Sequence, residues 1–289
     1  MSFPERLAED AQRIALRLDE ALADYPDQPV IHAMRYALRG GKRLRGFLVL
    51  ESARMLGIAA ERAVSAAAAV ECLHAYSLVH DDLPCMDDDD LRRGQPTVHV
   101  KWDQATAVLA GDALQTLAFE LLTDPALGGA EARIALVAGL ARASGAQGMV
   151  LGQALDIAAE TAGRALTLEE ITAMQAGKTG ALIRFSAEAG AILAGADRAP
   201  LRAYAEALGL AFQIADDILD VTGSAEAAGK RVGKDAAAGK ATFVSLLGLE
   251  GARAQAAALV EQAESLLEPY GEAARYLIAA ARFSISRDS

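Results

Sequence analysis

Alanine dominates long stretches of this chain, and this feature restricts its fold more than any other. Two examples are VSAAAAVECLHAYSL at 64–78 and GARAQAAALVEQAESLL at 251–267. Alanine and leucine have the highest helix propensities. Runs of β-branched residues, which favour strands, are scarce, and aromatic residues make up only 5% of the chain. The sequence therefore predicts an all-α protein.

Apolar residues recur with helical spacing, and short breaks at Gly, Pro or Asp divide the chain into segments. We predict helices over 4–23, 28–38, 43–56, 60–83, 104–123, 129–143, 146–160, 167–193, 199–222, 241–267 and 271–283. Thr167 precedes Glu170 by three residues, which is the spacing of a helix-initiating capping box. Several helices are apolar on most faces, which indicates a bundle of more than one layer. No Pro/Ser-rich linker or repeat interrupts the pattern, so we expect one domain over 1–289.

Composition excludes several classes of protein. The chain has 289 residues, 53% of them hydrophobic and 23% charged, which is enough to bury a large core and excludes a disordered protein. Its net charge of −11 argues against a nucleic-acid partner. The N-terminal MSFPERLAED has no apolar signal segment, and no uninterrupted apolar run is long enough to span a bilayer. With only two cysteines, Cys72 and Cys85, we expect a cytoplasmic protein without disulfides or a membrane span.

The first chemical feature is the acidic run HDDLPCMDDDDLRRG at 80–94. Its carboxylates are Asp81, Asp82, Asp87, Asp88, Asp89 and Asp90, and Arg92 and Arg93 follow them. Like charges at this density cost free energy unless water or cations screen them, and a solvated acidic loop is the simpler alternative. On a continuous helix Asp87 would point about 240° away from Asp81. Because Pro84 breaks the helix, the intervening turn can bring Asp87 back beside Asp81.

A second acidic group lies in FQIADDILDVTG at 212–223. Asp216 and Asp220 are i, i+4 neighbours on one helix face, and Asp217 is adjacent. The surrounding residues are apolar, so these carboxylates need partners, and oxygen-only clusters suit Mg²⁺. One such group could be a helix-end charge cluster, but two in one all-α chain favour a metal site.

The basic residues collect beside glycines, in GGKRLRG at 40–46, GKTG at 177–180, GKRVGK at 229–234 and GK at 239–240. Glycine lets backbone N–H groups approach an anion closely. None of these segments has the spacing of a P-loop. His74 lies two helical turns before Asp81 and either faces the acidic cluster or packs in the core. The pattern predicts anion sites near the carboxylates.

With these motifs the chain resembles the trans-isoprenyl diphosphate synthase family from about residue 30 to its C-terminus. The two-residue insertion in the first acidic motif, and the pair Tyr76-Ser77, are similar to those of bacterial farnesyl diphosphate synthases. The resemblance implies a multi-helix bundle around a deep central cavity, usually in a homodimer. It also implies 1'-4 condensation of isopentenyl diphosphate with dimethylallyl or geranyl diphosphate, through an allylic carbocation, to (E,E)-farnesyl diphosphate. A geranylgeranyl diphosphate synthase, a class I terpene cyclase and a non-enzymatic acidic helical bundle that buffers divalent ions are the alternatives.

The resemblance also implies roles for individual residues. The ligands of Mg²⁺, expected as three ions per active site with Mn²⁺ as an alternative, would be Asp81, Asp82, Asp87, Asp216, Asp217 and Asp220. The isopentenyl diphosphate site would contain Gly41, Lys42, Arg45, His74 and Arg93. The allylic diphosphate site would contain Arg92, Lys178, Thr179, Gln213, Lys230 and Lys240. The catalytic set would be Asp81, Asp82, Asp87, Asp216, Asp217, Lys178, Thr179 and Gln213.

Product length is expected to depend on two residues of the helix that ends at Asp81. Ser77 lies one turn before Asp81, and Tyr76 lies five residues before it, about 7.5 Å along the helix axis. The resemblance makes Tyr76 the floor that stops the growing chain, whereas an ordinary core aromatic is the alternative. The sequence assigns no role to Gln153, Asp156 or Lys234.

Overall fold

The computed structural model describes residues 1–160, 163–222 and 241–286, and most of them are helical. The helices are α1 (Phe3–Ala21), α2 (Pro29–Ala37), α3 (Leu44–Met55), α4 (Ala60–Asp81), α5 (Val98–Lys101), α6 (Gln104–Leu121), α7 (Ala130–Ser144), α8 (Met149–Glu160), α9 (Leu168–Gln175), α10 (Ala181–Ala194), α11 (Ala199–Thr222), α12 (Phe243–Leu267) and α13 (Arg275–Ser286). Short 3-10 turns cover Pro125–Leu127 and Glu268–Ala274. Within the described ranges, strands occur only as β1 (Leu91–Arg92) and β2 (Gln95–Pro96), an antiparallel pair. The predicted all-α class is confirmed.

The predicted helices agree with these bounds except at four places. The predicted helix 271–283 begins as an α-helix only at Arg275, because the 3-10 segment Glu268–Ala274 with its non-helical Gly271 comes first. The predicted helix 167–193 is interrupted, because a π-helical segment, Ala176–Gly180, separates α9 from α10. Helix α8 begins at Met149, since Gly145 ends α7 in an extended conformation. Helix α5 and the β1–β2 hairpin were not predicted, because elements of two to four residues carry no periodicity. The capping box at Thr167 is present as predicted.

Two hydrophobic cores lie on either side of a wall formed by α3 and α10. The first core is built mainly from α1, α2, α4, α6 and α7. The second is built from α11, α12 and α13. Along α3, Val49 and Leu50 belong to the first core, whereas Phe47 and Leu48 belong to the second. Because α3 serves both cores, it is buried from Gly46 to Ala53, which agrees with the apolar faces seen in the sequence.

The alanine run on α4 is buried on every side. Ala66, Ala67, Ala68 and Ala69 have no exposed surface, and α4 packs against α1, α3 and α6. Small side chains let three neighbouring helices approach one helix closely. The same packing fixes the direction of α4, whose last residue, Asp81, begins the first acidic motif.

Two helical stretches, Ala130–Ala159 and Phe243–Ser286, are long and apolar enough to cross a membrane by length and composition, which is weak evidence. Both contain a backbone break, at Gly145 in the first and at Gly248 (φ 71°) in the second. The expected absence of a membrane span stays a prediction. Cys72 is buried, Cys85 is exposed, and both are free thiols.

Candidate active site

A closed turn follows α4 and gathers the first acidic motif. Helix α4 ends at Asp81, and the backbone N–H of Asp87 donates to the carbonyl oxygen of Asp81 at 2.8 Å. The backbone N–H of Asp88, which has a left-handed φ of 49°, donates to the carbonyl of Leu83 at 3.2 Å. The break at Pro84 therefore returns Asp87 to Asp81, as the sequence predicts.

Burial in this turn disfavours the charged form of Asp81. Burial is the largest effect and raises the pKa of Asp81 to about 6. Lys178 lowers this pKa and Asp87 raises it, so both groups lie close enough to act on Asp81. A carboxylate with so high a pKa gains stability from any further positive charge.

Arg92 reaches back to the first motif from the β1–β2 hairpin. Its Nε and Nη2 atoms donate to Oδ1 of Asp82 at 2.7 and 2.6 Å. Burial raises the pKa of Asp82, and the Arg92 hydrogen bond opposes that shift. Asp89 lies farther from the guanidinium, at 3.9 Å. The hairpin that the sequence missed thus positions the arginine predicted for the allylic diphosphate.

Lys178 and Thr179 lie in the π-helical segment between α9 and α10. The Lys178 Nζ atom is 2.6 Å from Oδ2 of Asp156, which is a buried residue of α8. Gly152 permits this contact, because a Cβ atom there would lie 2.0 Å from the Lys178 backbone nitrogen. One turn before Asp156, the buried Nε2 of Gln153 has no hydrogen-bond partner within the described ranges.

The second acidic motif lies at the end of α11, close to the π-helical segment. Gln213 Nε2 donates to Oε1 of Gln175 at 2.5 Å, which ties α11 to the last residue of α9, directly before that segment. Oδ2 of the buried Asp217 accepts the backbone N–H of Phe243 at 2.7 Å, so one of its oxygens is used where α12 begins. Asp216 and Asp220 lie on the same helix. The remaining predicted cations, Lys230 and Lys240, and the unassigned Lys234 lie outside the described residues.

The loop before α3 brings four of the five predicted isopentenyl diphosphate residues together. Gly41 has a φ of 75°, which favours glycine, and a Cβ atom there would lie 2.7 Å from Arg93 Nη2 and displace that guanidinium. Arg93 Nη1 donates to the carbonyl of Arg39 at 3.1 Å. Nη1 of Arg45 lies 3.4 Å from Nε2 of His74. Burial and these guanidiniums lower the pKa of His74 well below its ordinary value, so the imidazole is neutral.

Lys42 points away from this group, and its Nζ atom lies 5.1 Å from the centre of the Phe283 ring on α13. Two residues that the sequence analysis missed, Arg43 and Glu71, line a small cavity with His74 and Arg93. Arg43 has a left-handed φ of 50°, and its Nη2 donates to the carbonyl of Leu38 at 2.8 Å. The basic run at 40–46 was the only available signal for Arg43. Glu71 had no signal, since it lies within the alanine run of α4.

The two chain-length residues lie on different faces of α4. Tyr76 is buried, its ring meets that of His80 edge-on with centroids 5.6 Å apart, and its hydroxyl lies close to Gln115 of α6. The hydroxyl of Ser77 donates to the carbonyl of His74 at 2.9 Å. Tyr76 therefore lies between α4 and α6, and its role as a floor stays a prediction.

Known proteins resemble this chain over nearly its whole length. The family model described as polyprenyl synthetase matches residues 27–275. The chain belongs to the polyprenyl synthetase family. A farnesyl diphosphate synthase of Escherichia coli is 49% identical, over 94% of this chain and 93% of that protein. A chloroplastic geranylgeranyl pyrophosphate synthase of Capsicum annuum is 43% identical, over 100% of this chain and 79% of that protein. The apo crystal structure of an FPP/GFPP synthase from Zymomonas mobilis has a TM-score of 0.90 and 46% identity, and covers 98% of this chain and 99% of that chain.

As a polyprenyl synthetase, the chain is expected to hold divalent metal ions. Within the described residues, no three His, Cys, Asp or Glu side chains are close enough together to hold a metal ion. Mg²⁺ is usually bound through one or two carboxylates together with substrate phosphate oxygens, rather than by a cage made only of protein. The partly buried Asp81, with Asp87 beside it, suits such a site. The donor set therefore fits Mg²⁺ that is bound together with a diphosphate.

Proposed function

We propose that this chain is a farnesyl diphosphate synthase, which joins isopentenyl diphosphate to dimethylallyl or geranyl diphosphate. The observation that carries the proposal is the closed turn after α4, where the N–H of Asp87 bonds to the carbonyl of Asp81 near Lys178. The farnesyl diphosphate synthase of Escherichia coli supports it with 49% identity.

The proposed reaction transfers one electron pair at each step. The C1–O bond of the allylic diphosphate breaks, and its electron pair leaves with the diphosphate. The double bond of isopentenyl diphosphate attacks the resulting carbocation, so that a new bond joins C4 to C1. The released diphosphate then takes a proton from C2 of the isopentenyl unit, and the C–H electron pair forms the new double bond. The products are a longer allylic diphosphate and inorganic diphosphate.

Two groups of residues would each bind one of the two diphosphates. Lys178 and Arg92 would hold the allylic diphosphate and stabilise the charge that collects on it as the C–O bond breaks. Their carboxylate partners, Asp156 and Asp82, hold both cations in position. The N–H groups and cations at 40–46, with Arg93, would bind isopentenyl diphosphate. Neutral His74 adds no charge there and would orient Arg45.

Divalent cations complete the proposed site. The residues that would hold them are Asp81, Asp82, Asp87, Asp216, Asp217 and Asp220. Bound Mg²⁺, as three ions per active site or with Mn²⁺ as a substitute, would neutralise the leaving diphosphate. Without a cation, the same carboxylates would repel the substrate.

Product length separates the proposed function from its nearest alternative. Relatives named as geranylgeranyl and FPP/GFPP synthases are 43% and 46% identical, so longer products are the second candidate. We favour the farnesyl product because the buried Tyr76 lies five residues before Asp81 on α4. At that distance a large ring would limit how far a chain anchored at Asp81 extends along the helix.

We propose that the enzyme works in the cytoplasm as a homodimer, without a nucleic-acid partner. A net charge of −11 disfavours binding to a phosphate backbone. Exposed apolar side chains on α6 and α7 support self-association, with Leu109 at 57% and Ile134 at 66% exposure. Light scattering during gel filtration would give the mass of the species in solution.

A diphosphate-release assay tests the proposed activity against its alternatives. We expect inorganic diphosphate only when isopentenyl diphosphate, geranyl diphosphate and Mg²⁺ are all present, and none when EDTA is added. Release from geranyl diphosphate alone would indicate a cyclase. Absence of release with both substrates and Mg²⁺ would contradict the proposal.

A further inference from the structure

A groove lined by arginines lies between α7, α10 and α11, and it contains none of the residues predicted for the catalytic site. Its volume is about 280 Å³. The charged residues that line it are Arg142, Arg184, Arg198, Arg202 and Glu188. We call it the arginine groove.

The charge balance of the arginine groove is opposite to that of the whole chain. Four guanidinium groups line it with one carboxylate, and two more carboxylates, Glu206 and Asp197, act on these arginines from outside the lining, whereas the protein carries a net charge of −11. Like charges around one cavity repel each other, and an anion between them removes that cost. In a protein with this excess of carboxylates, four arginines around one groove are more than the average composition predicts. The groove therefore carries a local positive field.

Glu188, the carboxylate in the lining, orients two of the arginines. Glu188 is buried, and its Oε1 accepts from Nε of Arg202 at 2.8 Å and lies 4.0 Å from Nε of Arg184. Nη1 of Arg184 also lies 3.9 Å from Glu206. Each guanidinium has five N–H donors, so these contacts leave several donors for a ligand. Glu188 therefore sets the positions of two cations without saturating them.

The other two arginines have no ion pair within the described ranges of the chain. Arg142 comes from the end of α7, and Arg198 precedes α11, so residues distant in sequence meet at one cavity. The guanidinium fork matches the oxygen spacing of phosphate groups and binds them in pairs of hydrogen bonds. The buried Phe185 and Ile192 form an apolar part of the same lining.

We propose that the arginine groove is a second anion site, which binds a diphosphate group outside the catalytic centre. Two sources share this chemistry. One is inorganic diphosphate, which needs only the guanidiniums. The other is an isoprenoid diphosphate, whose tail would also contact Phe185 and Ile192. The site requires neither a metal ion nor catalysis, so it stands independently of the proposed reaction.

Calorimetric titration in EDTA tests the site, because the acidic motifs repel diphosphate when no metal is present. The starting protein is the full-length Lys42→Ala/Arg45→Ala variant, in which the isopentenyl diphosphate site is weakened. Inorganic diphosphate is the first probe, and geranyl diphosphate is the second. We expect one diphosphate bound per protomer. Tighter binding of geranyl diphosphate would assign the isoprenoid source, and equal binding would assign inorganic diphosphate.

Arg142→Ala and Arg198→Ala are then added to the starting protein. They should weaken diphosphate binding at least about tenfold, which corresponds to 1.4 kcal/mol of binding free energy. Adding Arg253→Ala and Arg282→Ala instead removes the same charge from exposed sites elsewhere and should leave binding unchanged. Arg142→Gln alone is a milder variant, and thermal unfolding checks that each protein is folded. Unaltered binding without Arg142 and Arg198, or no binding in the starting protein, would overturn the proposal. Conversion of a dimer to monomers by the groove substitutions would also overturn it, since the groove would then be a subunit contact.

Discussion

The Nζ atom of Lys178 lies 2.6 Å from Oδ2 of Asp156, which joins the π-helical segment to α8. The sequence predicted a role for Lys178 and none for Asp156. The contact explains why the LGQALDI segment carries an aspartate at this position. The carboxylate holds the ammonium group in position, and the remaining N–H donors of Lys178 can bind a phosphate oxygen.

Replacing Asp156 should therefore weaken binding of the allylic substrate. We expect Asp156→Ala to raise its KM roughly 10- to 100-fold, because Lys178 loses the group that positions it. Asp156→Asn keeps a hydrogen-bond acceptor and should have a smaller effect. Asp112→Ala, at an exposed site on α6, is the matched control. Steady-state kinetics with varied geranyl diphosphate measures the change, and an unaltered KM in both Asp156 variants would remove the positioning role.

Lys42 and Arg45 belong to the same basic run but differ in the structure. Arg45 faces His74, whereas Lys42 lies over the Phe283 ring on α13. We expect Arg45→Ala and Lys42→Ala to raise the KM for isopentenyl diphosphate more than that for the allylic substrate. The larger effect should come from Arg45, and Arg45→Lys should recover part of the loss. If the allylic KM rose more, the two diphosphate sites would be assigned the wrong way round.

The raised pKa of Asp81 predicts a pH dependence of stability in the metal-free protein. The fold raises this pKa from 3.8 to about 6, so between these values the folded protein binds a proton that the unfolded chain does not. Stability from this group is therefore lost as pH rises from about 4 to about 6. Asp81→Asn cannot titrate and should become more stable than wild type across that window, by on the order of 2 kcal/mol above pH 6.

Chemical denaturation in EDTA at several pH values measures this difference. A constant difference between Asp81→Asn and wild type from pH 4 to pH 7 would contradict the prediction. Asp90→Asn is the control, because Asp90 belongs to the same acidic run but is exposed.

Tyr76 should control the length of the product. Tyr76→Ala is expected to give geranylgeranyl or longer diphosphates, and Ser77→Phe to stop synthesis at geranyl diphosphate. Tyr76→Phe keeps the ring, loses only the hydroxyl near Gln115, and should still make farnesyl diphosphate. Truncating a buried aromatic costs about 3–5 kcal/mol, so folding is checked first. An active Tyr76→Ala enzyme that makes only farnesyl diphosphate would move length control to another helix.

Much of the fold could be predicted from the sequence, because long helices with apolar faces leave a strong periodic signal. The closed turn at Asp87 could also be predicted, since Pro84 kinks or breaks a helix that would otherwise continue. The π-helical segment at Lys178 could not, because the extra residue in the turn has no compositional mark. The bond between Asp217 and the Phe243 backbone depends on how α11 and α12 pack. Contacts of this kind join residues distant in sequence, and periodicity carries no information about them.

The arginine groove also could not be predicted from the sequence. Arg142, Arg184 and Arg198 are scattered along the chain, and none lies in a basic run. By contrast, the glycine-flanked cations were found because they are neighbours in sequence. Roles for Gly41 and Gly152 were harder to predict than those of the cations. The residues that pack against these glycines, Arg93 and Lys178, come close only in the folded chain.

The central claim is that the acidic motifs of α4 and α11 act together in prenyl transfer. The rate at which labelled farnesyl diphosphate forms tests this claim most directly. The substrates are geranyl diphosphate and labelled isopentenyl diphosphate with Mg²⁺, and the products are separated after dephosphorylation. We predict farnesyl product from wild type and the Asp90→Ala control, and none after chelation. Asp81→Ala and Asp216→Ala should each lower the rate by about three orders of magnitude. Wild-type rates from either variant at ordinary Mg²⁺ would contradict the account.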